Sequence, residues 1–152
     1  MSTTSQDLIH RYHELHTARY GAVRSWDDDL GDLLRISPYT VRGWHDGKRT
    51  LDGERLEKVT LLVRAMEAGK ALRMQPELDA HRIQEMRSAG IKWVEVLGCN
   101  HQPEECDSYR AMRGVPIEIQ SAPELPLPGC DKLECKCILL ARKGPKGGVA
   151  DA

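Results

Sequence analysis

Residues 30–49, LGDLLRISPYTVRGWHDGKR, decide how the first half of the chain folds. Leu30, Leu33 and Leu34 recur at helical spacing before a break at Arg35-Ile36-Ser37, and Ile36, Val41 and Trp44 supply the apolar positions after it. Ser is a favoured N-cap and Pro is tolerated at the first helical position, so Ser37-Pro38 opens a new helix, which Gly47 stops. Two short amphipathic helices so joined are expected to cross steeply, with the N-terminal half of the second projecting outwards. That half carries Tyr39, Thr40, Arg42 and Gly43 behind the Ser37 cap, while Val41 and Trp44 anchor its back. Lys48 and Arg49, past the glycine, are placed to meet phosphate.

Outward from this segment, helical periodicity continues on both sides. Residues 7–20 place Leu8, Ile9, Tyr12, Leu15 and Tyr20 along one side, with Asp7 as a capping candidate. Gly21 ends that helix, and Ser25 precedes WDDDLGDLL, where three acids occupy the first turn. After the basic pair, Asp52 or Gly53 starts a longer run with Leu56, Val59, Leu62, Val63 and Met66 as its buried stripe. ELDAHRIQEMRSAG, with Leu78, Ile83 and Met86 inward, predicts a connector helix. From residue 91 the character changes: IKWVEVL, PIEI and CILLA are short strand candidates, separated by Pro-rich SAPELPLPG. The expected architecture is α+β: a helical bundle over 1–70, a connector over 71–90, a β-rich module over 91–141 and an unstructured tail over 142–152.

The chain has 152 residues, 22 Lys plus Arg, 23 Asp plus Glu and no Phe, which limits it to one domain or two small ones with Leu, Ile, Val, Met and Trp cores. A net charge of −1 gives no overall hold on nucleic acid, and residues 1–70 balance 11 basic against 11 acidic side chains. Any such binding must come from a local patch. No signal-like or membrane-spanning apolar run occurs, so the expected location is cytoplasmic, with no membrane partner.

ISPYTVRGWHDGKR resembles the phage-repressor and Cro-like helix-turn-helix proteins, in which an apolar helix, a short turn, S-P-x-T-V-x-x-W and then x-x-G-K-R follow in order. The helical context extends the resemblance over roughly residues 7–68. It implies a helical bundle that binds double-stranded DNA, usually as a homodimer, with the second helix in the major groove. Carried onto this chain, Ser37, Tyr39, Thr40, Arg42, Gly43, Lys48 and Arg49 are the candidate DNA contacts, with Arg42 able to read guanine. The family's small residue in the first helix is Gly31 here, and its usual turn glycine is replaced by Arg35. The carboxylates of Asp27, Asp28 and Asp29 fall where the family approaches the DNA backbone and are expected to repel it.

All five cysteines lie between positions 99 and 137. Cys106, Cys130, Cys135 and Cys137 form C-x23-C-x4-C-x-C, with Cys99 and His101 as alternates, and four thiolates close a structural Zn²⁺ site. A module of about 50 residues with little core needs such a staple. Unliganded thiols, a disulfide and an iron–sulfur cluster are the competing readings. This region resembles the cysteine-bearing C-terminal segments of small bacterial and phage proteins, phage head-morphogenesis proteins among them, with Tyr109 standing where many relatives have a second thiol. His10, His13 and His16, at successive i, i+3 positions, read as a solvated helix face rather than a metal set, and His45 and His81 have no evident partner.

No nucleophile elbow, Walker loop, dinucleotide fingerprint or H-E-x-x-H motif is present, so the chain reads as a non-enzyme. The leading expectation is a transcriptional regulator of phage-repressor type, a repressor, activator or antitoxin, whose zinc-bearing C-terminal module dimerises or binds a partner. The alternative is a phage-related or virion-associated protein-interaction adaptor that does not bind DNA.

Overall fold

A computed structural model describes residues 4–98, 107–130 and 132–145. The fold is mixed α+β, with six α-helices and one small antiparallel sheet among the described residues. The chain divides into two compact units, residues 1–69 and 70–152.

The first unit is helical. Helix α1 (Ser5–Tyr20) starts one turn before the sequence pattern suggested, because Thr4 and not Asp7 is the cap. The Thr4 hydroxyl accepts from the Asp7 amide at 3.0 Å and the Asp7 carboxylate accepts from the Thr4 amide at 3.3 Å, a reciprocal capping box. Helix α2 (Trp26–Leu34), helix α3 (Pro38–His45) and helix α4 (Gly53–Glu67) follow. Ser37 caps α3 as expected, its hydroxyl accepting from the Tyr39 amide at 3.1 Å. Ile9, Tyr12, Leu30, Val41, Trp44, Leu51, Val59, Leu62, Val63 and Met66 form the buried interior. The α1 stripe departs from expectation: Leu8 and Leu15 are half-buried, and His16 is fully buried in their place.

The turn between α2 and α3 depends on two backbone conditions. Arg35 closes α2 in the left-handed region, φ 57° and ψ 47°, a conformation in which a Cβ crowds the backbone. Gly31 lies beneath the turn, where a Cβ would stand 2.8 Å from the Ile36 carbonyl oxygen and 3.3 Å from the Pro38 nitrogen. Both neighbours are backbone atoms and cannot move aside cheaply, so only glycine lets α2 and α3 come this close.

In the second unit, helix α5 (Pro76–Ser88) precedes strand β1 (Trp93–Leu97), helix α6 (Asp107–Met112), strand β2 (Ile117–Glu118), a single 3₁₀ turn (Ile119–Ser121) and strand β3 (Ile138–Arg142). The sheet order is β2-β1-β3, with Val94 opposite Ile117 on one side and Ala141 on the other. Val94, Val96, Ile119, Leu125, Leu127 and Leu139 form its core, and Tyr109 of α6 is buried among them. Helix α5 is no free connector. Ile83 and Met86 pack against this core, whereas Leu78, expected inward, is exposed in the first turn. Among the described residues no helix is long and apolar enough to cross a membrane.

Two substitutions at the α2–α3 turn are expected to act in opposite directions. Gly31→Ala, by overpacking against fixed backbone, should cost about 1–3 kcal/mol in urea unfolding. Arg35→Gly, by relieving a left-handed residue, should add about 0.5–1 kcal/mol.

Candidate functional site

Helix α3 is anchored on one side and open on the other. Val41 and Trp44 are buried, while Ser37, Tyr39, Arg42, Lys48 and Arg49 are exposed and Thr40 is half-buried. Tyr39, 65% exposed, is a large aromatic ring held in solvent. The backbone after α3 doubles back, the Lys48 and Arg49 amides both donating to the Gly43 carbonyl at 2.9 and 3.1 Å. That return carries the Arg49 guanidinium to 5.6 Å from the Tyr39 ring centroid. The Arg49 stem runs directly over Gly43, 2.8 Å from where a Cβ would stand. Gly43 is therefore buried beneath the Arg49 side chain.

The acidic triplet at the start of α2 is not arrayed outward as the sequence suggested. Asp27 is buried and accepts from Arg42 Nη1 at 2.6 Å, from the Asp28 amide at 3.0 Å and from the Ser25 hydroxyl. Burial pushes its carboxyl up, but the bonds from Ser25, Arg42 and the Asp28 amide outweigh that and hold it below the ordinary carboxylate range. Asp29 accepts from His16 Nε2 at 2.6 Å and pairs with Arg24 Nε at 3.0 Å. Two of the three charges are thus balanced within the unit. The same arrangement ties Arg42, the candidate base reader, to a carboxylate while its side chain stays half exposed.

The three histidines of α1 differ in exposure: His10 is exposed, His13 half-buried and His16 buried. His16 is enclosed, with its ring near Tyr12 and Tyr20. His13 stacks on Trp26 with ring centroids 4.2 Å apart, and its Nδ1 lies 3.2 Å from His45 Nε2. His10 Nε2 donates to the His45 carbonyl at 2.8 Å. Gln6 Nε2 donates to the same carbonyl at 3.0 Å, so His45, at the end of α3, has three partners on α1 that no sequence spacing could reveal. His81, for which the sequence offers no evident partner, is exposed and has one in Glu85, one turn on, at 3.3 Å.

In the second unit, Cys130, Cys135 and Cys137 are all buried, and none of the three is in a disulfide. Contacts from the Cys130 and then the Cys137 side chain outweigh burial and hold the Cys135 thiol far below the ordinary thiol range, assisted by the Cys137 amide and the Arg73 charge. No motif or spacing in the sequence singles out Arg73. Its Nη1 donates to the carbonyls of Cys135 at 3.0 Å and Cys137 at 2.6 Å and lies 3.8 Å from Cys135 Sγ. Nε and Nη2 bind both oxygens of Asp79 at 2.8 and 2.6 Å, so α5 fixes the guanidinium against the cysteine loop. Backbone bonds add to this hold: Leu72 donates to Leu133 at 2.6 Å and Cys135 to Leu72 at 2.8 Å. Cys106, Cys99 and His101 lie outside the described residues, and Tyr109 is a core side chain rather than a ligand. Among the described residues, no group of three or more His, Cys, Asp or Glu side chains is already arranged to hold a metal ion.

Comparison with family models, with curated proteins and with solved structures finds no match to this chain.

The lowered Asp27 pKa makes one stability term pH-dependent. It is fully present above the ordinary carboxylate value of 3.8 and is lost as pH falls through the depressed value in the folded protein. Asp27→Asn should lower neutral-pH stability, and urea unfolding curves of variant and wild type, followed by Trp26 and Trp44 fluorescence, should converge on acidification.

Proposed function

We propose that the chain is a DNA-binding transcriptional regulator of phage-repressor type, with α2, the three-residue turn and α3 as its helix-turn-helix unit. The observation that carries this reading is the sidedness of α3: its apolar side chains are buried while Tyr39, Arg42, Lys48 and Arg49 share the solvent side with Thr40 and the Ser37 cap. Arg and Lys on such a surface neutralise phosphate, and the leading residues of the second helix meet base edges in the major groove. Arg42 keeps guanidinium donors beyond the one bound to Asp27 and is the candidate guanine reader, with Tyr39 and Thr40 as candidate contacts to a thymine methyl or a phosphate. Pairing of Asp27 and Asp29 within the unit reduces the repulsion that three unbalanced carboxylates would exert. Two copies on a palindrome would read half-sites about 34–36 Å apart.

The C-terminal unit is proposed to carry a structural Zn²⁺. Its ligands would be Cys130, Cys135 and Cys137, with Cys106 as the fourth thiol by sequence order and Cys99 or His101 as substitutes. Support comes from the donor chemistry: three buried thiols gather on one loop, one of them strongly favoured as the thiolate, with an arginine against their backbone. The ion would cross-link the loop, adding the stability a small core lacks.

A second reading has one observation in its favour. Arg42 is paired with Asp27, which neutralises one of three candidate phosphate-facing cations and suits a protein-binding adaptor. Gel shift on random duplex DNA at low salt separates the two. DNA binding that weakens with salt, and is lost in an Arg42→Ala, Lys48→Ala, Arg49→Ala triple variant, is the outcome expected of a regulator. Each phosphate contact removed should flatten the salt slope by about 0.9. No binding at low salt selects the adaptor.

For the metal, quantitation on purified protein should find about one Zn²⁺ per chain. Cys135→Ser should remove it and unfold the C-terminal unit, while Cys99→Ser should be mild. Equal loss from both would overturn the ligand assignment.

A further inference from the structure

The histidine cluster between α1 and the end of α3 takes no part in the function proposed above. His13 Nδ1 and His45 Nε2 face each other at 3.2 Å. Two nitrogens bound to one tetrahedral ion at its usual bond lengths stand about 3.3 Å apart, so these rings already hold the separation of two ligands on a common ion. His10, one turn before His13, has its ring centroid 4.4 Å from that of His45, and its Nε2 is engaged only by the His45 carbonyl at 2.8 Å. Its side chain is exposed, so a third imidazole stands beside the pair with room to turn.

The surroundings match what orients imidazole ligands. His45 Nδ1 lies 3.3 Å from Asp46 Oδ1, so a carboxylate backs the ring on the side away from His13. Trp26 stacks on His13 and stands 4.9 Å from His45, holding both rings in place. The neighbouring carboxylates are committed elsewhere, Asp27 to Arg42 and Asp29 to His16 and Arg24, which leaves an all-nitrogen donor set. Imidazole donors suit Zn²⁺, Co²⁺, Ni²⁺ and Cu²⁺ rather than Mg²⁺ or Ca²⁺.

We propose that His13 and His45, completed by His10, form a second site for a first-row divalent transition-metal ion, pinning the last turn of α3 to α1. The pair is preformed and His10 closes on the ion, which accounts for three donors not being gathered in the structure as it stands.

The test is Co²⁺ added to the zinc-loaded full chain. Expected is a bound cobalt species with visible d–d absorption and no thiolate-to-metal charge-transfer band, its affinity lowered about tenfold or more by His13→Gln or His45→Gln. His81→Gln should leave it unchanged. A charge-transfer band in place of that species would put the ion on the cysteines and overturn the histidine site. No cobalt uptake, or equal affinity in the histidine variants, overturns the proposal and leaves an N–H···N hydrogen bond. If circular dichroism finds a variant unfolded, paramagnetically shifted imidazole protons in cobalt-loaded wild type decide the matter, their absence counting against the site.

Discussion

The close approach of α2 and α3 at Gly31 is the constraint on which the exposed face of α3 depends. A backbone carbonyl and a proline nitrogen lie where a side chain would begin, so the crossing of the two helices is set by backbone against backbone. Arg35 accepts a left-handed conformation to make this possible, and the Ile36 amide then donates to the Gly31 carbonyl at 2.9 Å. With that turn in place, Val41 and Trp44 are directed into the core, and Tyr39 and Arg42 are left outside it. A sterically determined turn thus becomes an orientation of side chains.

Charge follows the same logic. A neutral unit has no long-range attraction for a polyanion, so the arrangement of individual charges matters more than their sum. Asp27 holds Arg42 at 2.6 Å, which fixes the direction of a long flexible side chain whose freedom would otherwise be lost on binding. The same pair costs net positive charge. Arg49 shows another form of positioning, since its stem lies on Gly43 and its head near Tyr39. Of the cations at and just beyond α3, Arg42 and Arg49 have their geometry set by named neighbours.

Much of the fold was legible because its signals are local. Ser37-Pro38 marks the start of α3, the run of apolar residues marks α4, and β-branched residues mark β1, each within a few positions of the observed bounds. Helix α6 carries no sequence signal because its six residues are too few to display a period. Spacing alone places Leu78 inward, but α5 packs through Ile83 and Met86 further along and leaves Leu78 exposed.

The candidate sites were legible as lists of residues and not as arrangements. Cys130, Cys135 and Cys137 announce themselves by composition, yet Arg73, which binds the carbonyls of Cys135 and Cys137 from more than sixty positions away in sequence, carries no signal in any local window. The histidines make the same point more sharply. An i, i+3 series reads as one face of a helix, and whether that face meets water or protein depends on what packs there. Here Trp26 and His45 arrive from α2 and α3, and Asp29 arrives at His16, so a series that looked solvated becomes the seam joining three helices. Polar side chains in such a seam require partners of matching geometry, whereas leucines require only volume, so the seam specifies one arrangement of the helices more narrowly than the apolar stripe beside it.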